Sequence, residues 1–137
     1  VSVFRNTSTT GSVSFAARID YATGSTPLSV AIGDVNGDGK PDLAVVNNGD
    51  NTVSILRNTG FSGVIDLSSF ATKVDFNTDG SPATLAISDL DGDGKPDMIV
   101  ANYTAGSISV FSGEESLGTN GCTFQFSSIL HEHYTSS

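Results

Sequence analysis

The sequence of 137 residues contains no tryptophan, a single cysteine and few basic side chains. Because Cys122 stands alone, no disulfide can form within the chain. No apolar run approaches the roughly 18 residues of a membrane-spanning helix, and no signal peptide is recognisable from Val1 onward. We therefore expect a core or a bound metal to stabilise the chain, and any secretion signal to lie outside this sequence.

Basic residues are scarce: 6 Lys and Arg stand against 15 Asp and Glu, for a net charge of −9. Nucleic acids and anionic membranes both bind through clustered basic side chains, so the composition argues against both as partners. Seven of the 15 acidic residues fall in two short windows, 34–42 and 89–97. Crowded carboxylates repel one another unless a cation neutralises them, which indicates a metal as the first partner to consider.

The second half of the sequence repeats the first half at an offset of 55 residues, without a gap. The clearest matches pair Ser29–Asp34 with Thr84–Asp89, and Asp42–Asn47 with Asp97–Asn102. The first residues, 1–7, also match 53–59, at an offset of 52. Repeats of this length are typical of stacked architectures, and we expect residues 1–21 to be the second half of another unit.

Each unit is predicted to form four short strands, because turn residues separate its apolar runs and no segment has a helical period. The predicted strands are Leu28–Gly33, Asp42–Asn47, Val53–Asn58 and Ser14–Tyr21, with the repeats Ala83–Ser88, Asp97–Asn102, Ser107–Ser112 and Ser69–Phe76. The first strand of each unit is mostly apolar, so we expect it to be buried on both faces.

Four-stranded units at a spacing near 50 residues predict an all-β fold made of β-propeller blades. Residues 1–21 would form half of a first blade, 22–76 a second blade, 77–130 a third blade that closes with Cys122–Ser128, and 131–137 a tail. Propellers typically need about 4–8 blades. We therefore expect these two and a half units to be part of a larger array, or to be completed by oligomerisation.

Two nine-residue loops, 34–42 and 89–97, share one pattern of oxygen side chains at positions one, three, five and nine. Calcium prefers about 6–8 hard oxygen ligands, and alternate positions of a tight loop can point inward together. Glycine stands at positions four and six, and at position six we expect a sharp reversal with little room for a side chain. An EF-hand is excluded, because its loop needs Glu at position twelve, where Val45 and Val100 stand.

The two loops and the strands beside them resemble the FG-GAP/VCBS family, whose repeats build the β-propeller of integrin alpha subunits and many bacterial surface proteins. The resemblance rests on Ser29–Asp34, Asp42–Asn47, Thr84–Asp89 and Asp97–Asn102. It implies two calcium sites. The implied ligands are Asp34, Asn36, Asp38, Lys40 (main chain) and Asp42 in one site, and Asp89, Asp91, Asp93, Lys95 (main chain) and Asp97 in the other.

The one difference among the implied ligands is Asn36 where the second loop has Asp91, so we expect the second site to bind calcium more tightly. The recurring aromatic residues are expected to pack between blades: Phe4, Phe15, Tyr21, Phe70, Phe76 and Phe111.

No catalytic constellation is recognisable in the sequence, so we do not expect an enzyme. We expect a calcium-binding segment of a secreted or cell-surface protein, with a protein or glycan ligand, that serves as a scaffold for adhesion or interaction. The alternative is an accessory or lectin-like carbohydrate-binding module of a larger secreted enzyme. Because the end units leave apolar faces and strand edges uncovered, we also expect a homo-oligomer.

Overall fold

The computed structural model describes residues 1–116 and 123–127, and within these ranges the chain is built from ten β-strands and contains no helix. The described residues therefore include no helix that could cross a membrane. The strands form one sheet of two strands and two sheets of four. Every pairing between strands is antiparallel.

The first sheet, which we call the half-blade, pairs β1 (Ser2–Val3) with β2 (Ile19–Asp20). The predicted strand Ser14–Tyr21 is therefore wrong over most of its length. Between β1 and β2 the chain forms a hairpin with only isolated bridges, such as Asn6 with Phe15. Val13 at the tip of this hairpin is 83% exposed, so no packing supports a longer ladder there.

The second blade contains β3 (Pro27–Gly33), β4 (Asp42–Asn47), β5 (Thr52–Leu56) and β6 (Val74–Asn77), paired in that order. Its fourth strand is also shorter than the predicted Ser69–Phe76. Phe70 still forms an isolated bridge with Asn58, but this bridge is one residue out of register with the pair of Val74 and Ile55, so the ladder of β6 begins only at Val74.

The third blade repeats this arrangement with β7 (Pro82–Ser88), β8 (Asp97–Asn102), β9 (Ser107–Ser116) and β10 (Thr123–Ser127). Register repeats as well, since Ala31 lies opposite Ala44 and Ala86 lies opposite Ile99. The predicted all-β, blade-like fold is confirmed, and these sheets do not close into a ring. Both ends of the predicted last strand, Cys122 and Ser128, and the predicted tail 131–137 lie outside the described residues.

The prediction that the first strand of each unit is buried on both faces is wrong. Along β3 every second residue is exposed, with Leu28 at 57%, Val30 at 50% and Ile32 at 68%. The strand buried at every position is β4, which lies between two neighbours of its own sheet. As an edge strand, β3 contacts β7 with one face and leaves the other face open.

The main core lies between the second and third blades. Its members are Val35, Ala44, Val46, Val53, Ile55, Met98, Val100 and Phe111. A smaller core lies on the opposite face of the second blade, where Val1, Val3, Tyr21 and Phe70 pack against Leu43, Val45 and Leu56. The second blade is thus the one sheet that has neighbours on both faces in the described residues.

Aromatic packing between sheets is confirmed at two places. Edge-to-face pairs join Tyr21 with Phe70, at a centroid distance of 5.0 Å, and Phe76 with Phe111, at 6.3 Å. Phe4 and Phe15 also form an edge-to-face pair, but they remain 52% and 58% exposed on the half-blade hairpin. The expectation of buried packing therefore does not hold for this last pair.

A matched pair of substitutions measures how much packing against the neighbouring blade contributes to the free energy of unfolding. Val53 is fully buried, whereas Ile108 occupies the same place in the third blade and is 48% exposed. We expect Val53→Ala to lower the free energy of unfolding by about 2 kcal/mol, because it leaves a cavity in the core. Ile108→Ala is expected to cost less than about 1 kcal/mol. Equal losses in urea denaturation would contradict the packing described here.

Candidate metal centre

Each nine-residue loop connects the first strand of a blade to the second, so that both loops lie at the same end of their blades. In loop 34–42 the backbone adopts positive φ at Gly37 (70°) and Gly39 (81°), and in loop 89–97 at Gly92 (81°) and Gly94 (87°). The expected shortage of space at position six is wrong, because a Cβ on Gly39 or Gly94 would meet nothing within 4 Å. The left-handed backbone is what requires glycine, at position four as well as at position six.

The carboxylates hold their own loops in shape. In the second loop, Asp89 accepts hydrogen bonds from the N–H groups of Gly92 (2.7 Å) and Gly94 (2.9 Å). Asp91 accepts from the N–H of Asp93, at 3.0 Å. In the first loop Asp34 accepts from the N–H groups of Asp38 (3.1 Å) and Gly39 (2.7 Å), so the donor at position six is shared and the other donor differs. These bonds hold the side chains of Asp34, Asp89 and Asp91 against the backbone of their own loops.

The aspartate at position nine, Asp42 or Asp97, connects each loop to its sheet. Asp42 is fully buried and accepts hydrogen bonds from the N–H groups of Val35 (3.1 Å) and Asn58 (2.6 Å). Asp97 is 4% exposed and accepts from Leu90 (2.8 Å) and Gly113 (3.0 Å). Each carboxylate therefore connects the start of its loop to the chain of the third strand, at Gly113 within β9 or at Asn58 just beyond β5.

Burial raises the pKa of Asp42 above its ordinary value, although the hydrogen bonds from Asn58 and Val35 work in the opposite direction. The nearby negative charges of Asp38 and Asp34 raise the pKa further. Held at close range in a partly desolvated place, these carboxylates would be stabilised by a cation.

In the second loop, Asp89, Asp91 and Asp97 each place a carboxylate oxygen within 4.8 Å of the others, close enough to hold one metal ion. Asp93 is not part of this group, and its carboxylate lies 3.6 Å from the ammonium of Lys95. The residues thus brought together stand at positions one, three and nine of the loop. The roles of Asp89, Asp91, Asp93, Asp97 and the Lys95 carbonyl as ligands stay predictions.

The first loop gathers less charge. Asn36 donates from its amide to the carboxylate of Asp38, at 3.1 Å. Among the described residues, Asp34, Asp38 and Asp42 do not form a group like that of the second loop. The roles of these four side chains and of the Lys40 carbonyl as ligands stay predictions. Of the two loops, the second is the better-formed candidate centre.

Sequence reasoning missed the backbone donors at Asn58 and Gly113, which hold the position-nine carboxylates. They act through main-chain N–H groups, so residue type gave no indication of them. The signal that could have found them is the repeat itself, because the two positions are 55 residues apart.

Comparison with known proteins agrees with the repeat and the loops. The profile of a family described as FG-GAP-like repeat matches residues 1–45 and 34–100. The two matches overlap on the first loop, and together they extend over residues 1–100 of 137. No curated protein and no solved structure matches the chain.

Two substitutions in the second loop separate the structural role of Asp97 from a role in metal binding alone. In excess chelator, Asp97→Ala is expected to lower the free energy of unfolding by about 2 kcal/mol, because the N–H groups of Leu90 and Gly113 lose their acceptor. Asp91→Ala removes an exposed side chain and should change it by about 0.5 kcal/mol or less. Urea denaturation of both variants measures the difference, and equal effects would show that Asp97 holds no structural role.

Proposed function

Because this chain belongs to the FG-GAP-like repeat family, we propose that it is a calcium-binding, non-enzymatic segment of a propeller that serves as a scaffold for adhesion or interaction. The observation that carries the proposal is the group of Asp89, Asp91 and Asp97, whose oxygens lie within 4.8 Å of one another. A second ion would bind at the first loop, which shares the sequence pattern.

Calcium is the metal that suits these ligands best. The gathered atoms are hard carboxylate oxygens, whereas zinc prefers nitrogen and sulfur. The loop backbone could add carbonyl oxygens toward the about 6–8 ligands that calcium takes, and magnesium usually keeps several of its waters instead. The first loop has Asn36 in place of a carboxylate, so its affinity should be lower.

An extracellular or cell-surface location fits this proposal. FG-GAP repeats are typical of extracellular proteins. Extracellular calcium modules function with dissociation constants of about 10⁻⁴–10⁻³ M, an affinity that a loop with few carboxylates can supply. In such a setting the ion would remain bound and act as a structural element, so that the blades present their loops to a protein or glycan ligand.

A second candidate function is carbohydrate binding, as an accessory or lectin-like module of a larger secreted enzyme. The observation that favours it is the exposure of two aromatic side chains on loops, Phe61 at 85% and Tyr103 at 84%. Exposed aromatic rings offer apolar faces on which sugar rings can stack. A glycan array distinguishes this function from a pure scaffold, because only the binder retains a defined sugar.

Calcium removal tests the primary proposal. Binding to the folded state alone adds RT ln(1 + [L]/Kd) to its stability, about 2.7 kcal/mol at 100 times Kd. We expect the melting temperature to fall in excess chelator and to return when calcium, but not an equal concentration of sodium, is restored. Calorimetric titration should find two ions per chain, and one ion in either Asp38→Ala or Asp93→Ala. An unchanged melting curve after confirmed metal removal would refute calcium binding.

Self-association is a further expectation, because none of the described residues covers the outer face of the third blade. Leu90 and Ile108 are 49% and 48% exposed there, while their counterparts Val35 and Val53 in the second blade are buried. Light scattering should show a mass above that of one chain at micromolar concentration. Ile108→Asp is expected to reduce this mass, because it places a charge on the open face. A folded monomer at all concentrations would contradict the expectation.

A further inference from the structure

An asparagine followed by glycine can react with its own backbone, because glycine has no side chain to hinder the approach of its nitrogen to the asparagine amide carbon. The described residues contain two such pairs, Asn36-Gly37 in the first loop and Asn48-Gly49 in the turn after β4. A third pair, Asn120-Gly121, lies outside the described residues. The attacking group is the glycine nitrogen, so the hydrogen bonds of its N–H decide which pair can react.

Hydrogen bonds hold both reacting groups of the pair Asn48-Gly49. The Gly49 N–H donates to the Ser25 carbonyl at 3.1 Å. The Asn48 side-chain amide donates to the Pro82 carbonyl at 3.0 Å, which connects the turn to the third blade. Both bonds would have to break before the Gly49 nitrogen could attack, so a reaction here requires local opening of the turn.

Gly37 differs from the other glycines that follow an asparagine or an aspartate. It is exposed, and none of the described residues accepts a hydrogen bond from its N–H. In the second loop the corresponding N–H, that of Gly92, donates to Asp89 at 2.7 Å. The N–H groups of the remaining glycines of this kind in the described residues are also bonded: Gly39, Gly49, Gly80 and Gly94. The Gly37 nitrogen can therefore react without the loss of a hydrogen bond.

The Asn36 side chain is held and polarised by Asp38. The Asp38 N–H donates to Asn36 Oδ1 at 3.1 Å, and Asn36 Nδ2 donates to the Asp38 carboxylate at 3.1 Å. When a nucleophile attacks the amide carbon, negative charge develops on Oδ1. An N–H that is already directed at this oxygen stabilises the charge, as backbone donors do in an oxyanion hole. A free nucleophile and a polarised amide thus lie next to each other in the first loop.

We propose that Asn36 is a site of spontaneous deamidation. The Gly37 nitrogen loses its proton to solvent and forms a bond to Asn36 Cγ. The bond between Cγ and Nδ2 breaks, and the side-chain nitrogen leaves as ammonia after taking a proton from water. Water then opens the resulting five-membered succinimide at either carbonyl, which gives aspartate or isoaspartate in place of the asparagine. The net change consumes one water molecule and releases one ammonia.

The aspartate product would give the first loop the acidic residues of the second loop, with a carboxylate at positions one, three, five and nine. The hydrogen bond from Asn36 Nδ2 to Asp38 would be lost, and two carboxylates would face each other in its place. Such a pair repels unless a cation neutralises it. Deamidation should therefore strengthen calcium binding at the first loop. This consequence rests on the proposed function, whereas the deamidation itself does not.

Mass spectrometry of the full chain, kept folded at neutral pH, tests the deamidation. The reaction raises the mass by about 1 Da, and fragmentation assigns the change to a residue. We expect the change at Asn36 to be at least about 10-fold faster than at Asn48, because only Asn48 must wait for local opening. In urea both sites are unfolded, and the two rates should agree within about threefold. Asn36→Gln is the matched variant, because glutamine would have to form a larger ring, and it should lose only the change at this position.

The variant Asn36→Asp reproduces the aspartate product and tests the consequence for calcium. Compared with the parent, it should melt at a lower temperature in chelator and at a higher temperature in calcium. Calorimetric titration is carried out with Asp93→Ala in both proteins, so that only the first loop binds. We expect Asn36→Asp to bind calcium at least about fivefold more tightly, because it adds a charged ligand.

Three results would overturn the inference. In the folded chain, Asn48 could change as fast as Asn36, or Asn36 could stay unchanged over a period in which the chain in urea is modified. Asn36→Asp could also bind calcium no more tightly than the parent does. If neither protein binds calcium, the proposed function is overturned instead, and the ratio of the two deamidation rates still decides whether Asn36 is a modification site.

Discussion

A β-sheet cannot bury its own faces, and this constraint governs the whole molecule. The same position of the repeat is buried or exposed according to whether another sheet lies over it. Val53 is fully buried between two blades, whereas Ile108, its counterpart, is 48% exposed. Val35 and Leu90 differ in the same way, at 3% and 49%. Each blade therefore depends on the neighbouring blade for the burial of its apolar face.

The acidic loops belong to this same packing arrangement. Val35 is the second residue of the first loop and also a member of the core between the blades. Its N–H donates to the buried carboxylate of Asp42, which also accepts a hydrogen bond from the N–H of Asn58, two residues beyond the end of β5. The side chain of Asp42 thus connects the loop both to the sheet and, through Val35, to the core. A cation held by the loop would therefore influence the packing of the neighbouring blade as well as the loop.

The all-β fold and the bounds of the second strand of each blade could be predicted from the sequence, because local patterns determine them. The strands Asp42–Asn47 and Asp97–Asn102 have the predicted bounds, since an aspartate that ends the loop and an asparagine that begins the turn delimit each apolar run. The burial of β3 could not be predicted in this way, because its composition is apolar whether or not a sheet covers it. The fourth strands were predicted too long, since the change of register between Phe70 and Val74 that shortens β6 depends on pairing with β5, which composition does not reveal.

The two loops show how local chemistry and packing can differ within one repeat. The second loop gathers three carboxylates within 4.8 Å, yet its second residue, Leu90, lies at an open face. In the first loop the amide of Asn36 replaces the carboxylate of Asp91, yet Val35 is buried in the core. The first loop is thus fixed mainly by packing, whereas the second has more charge to neutralise and less packing to hold it. A bound ion would therefore contribute more to the order of the third blade than to that of the second.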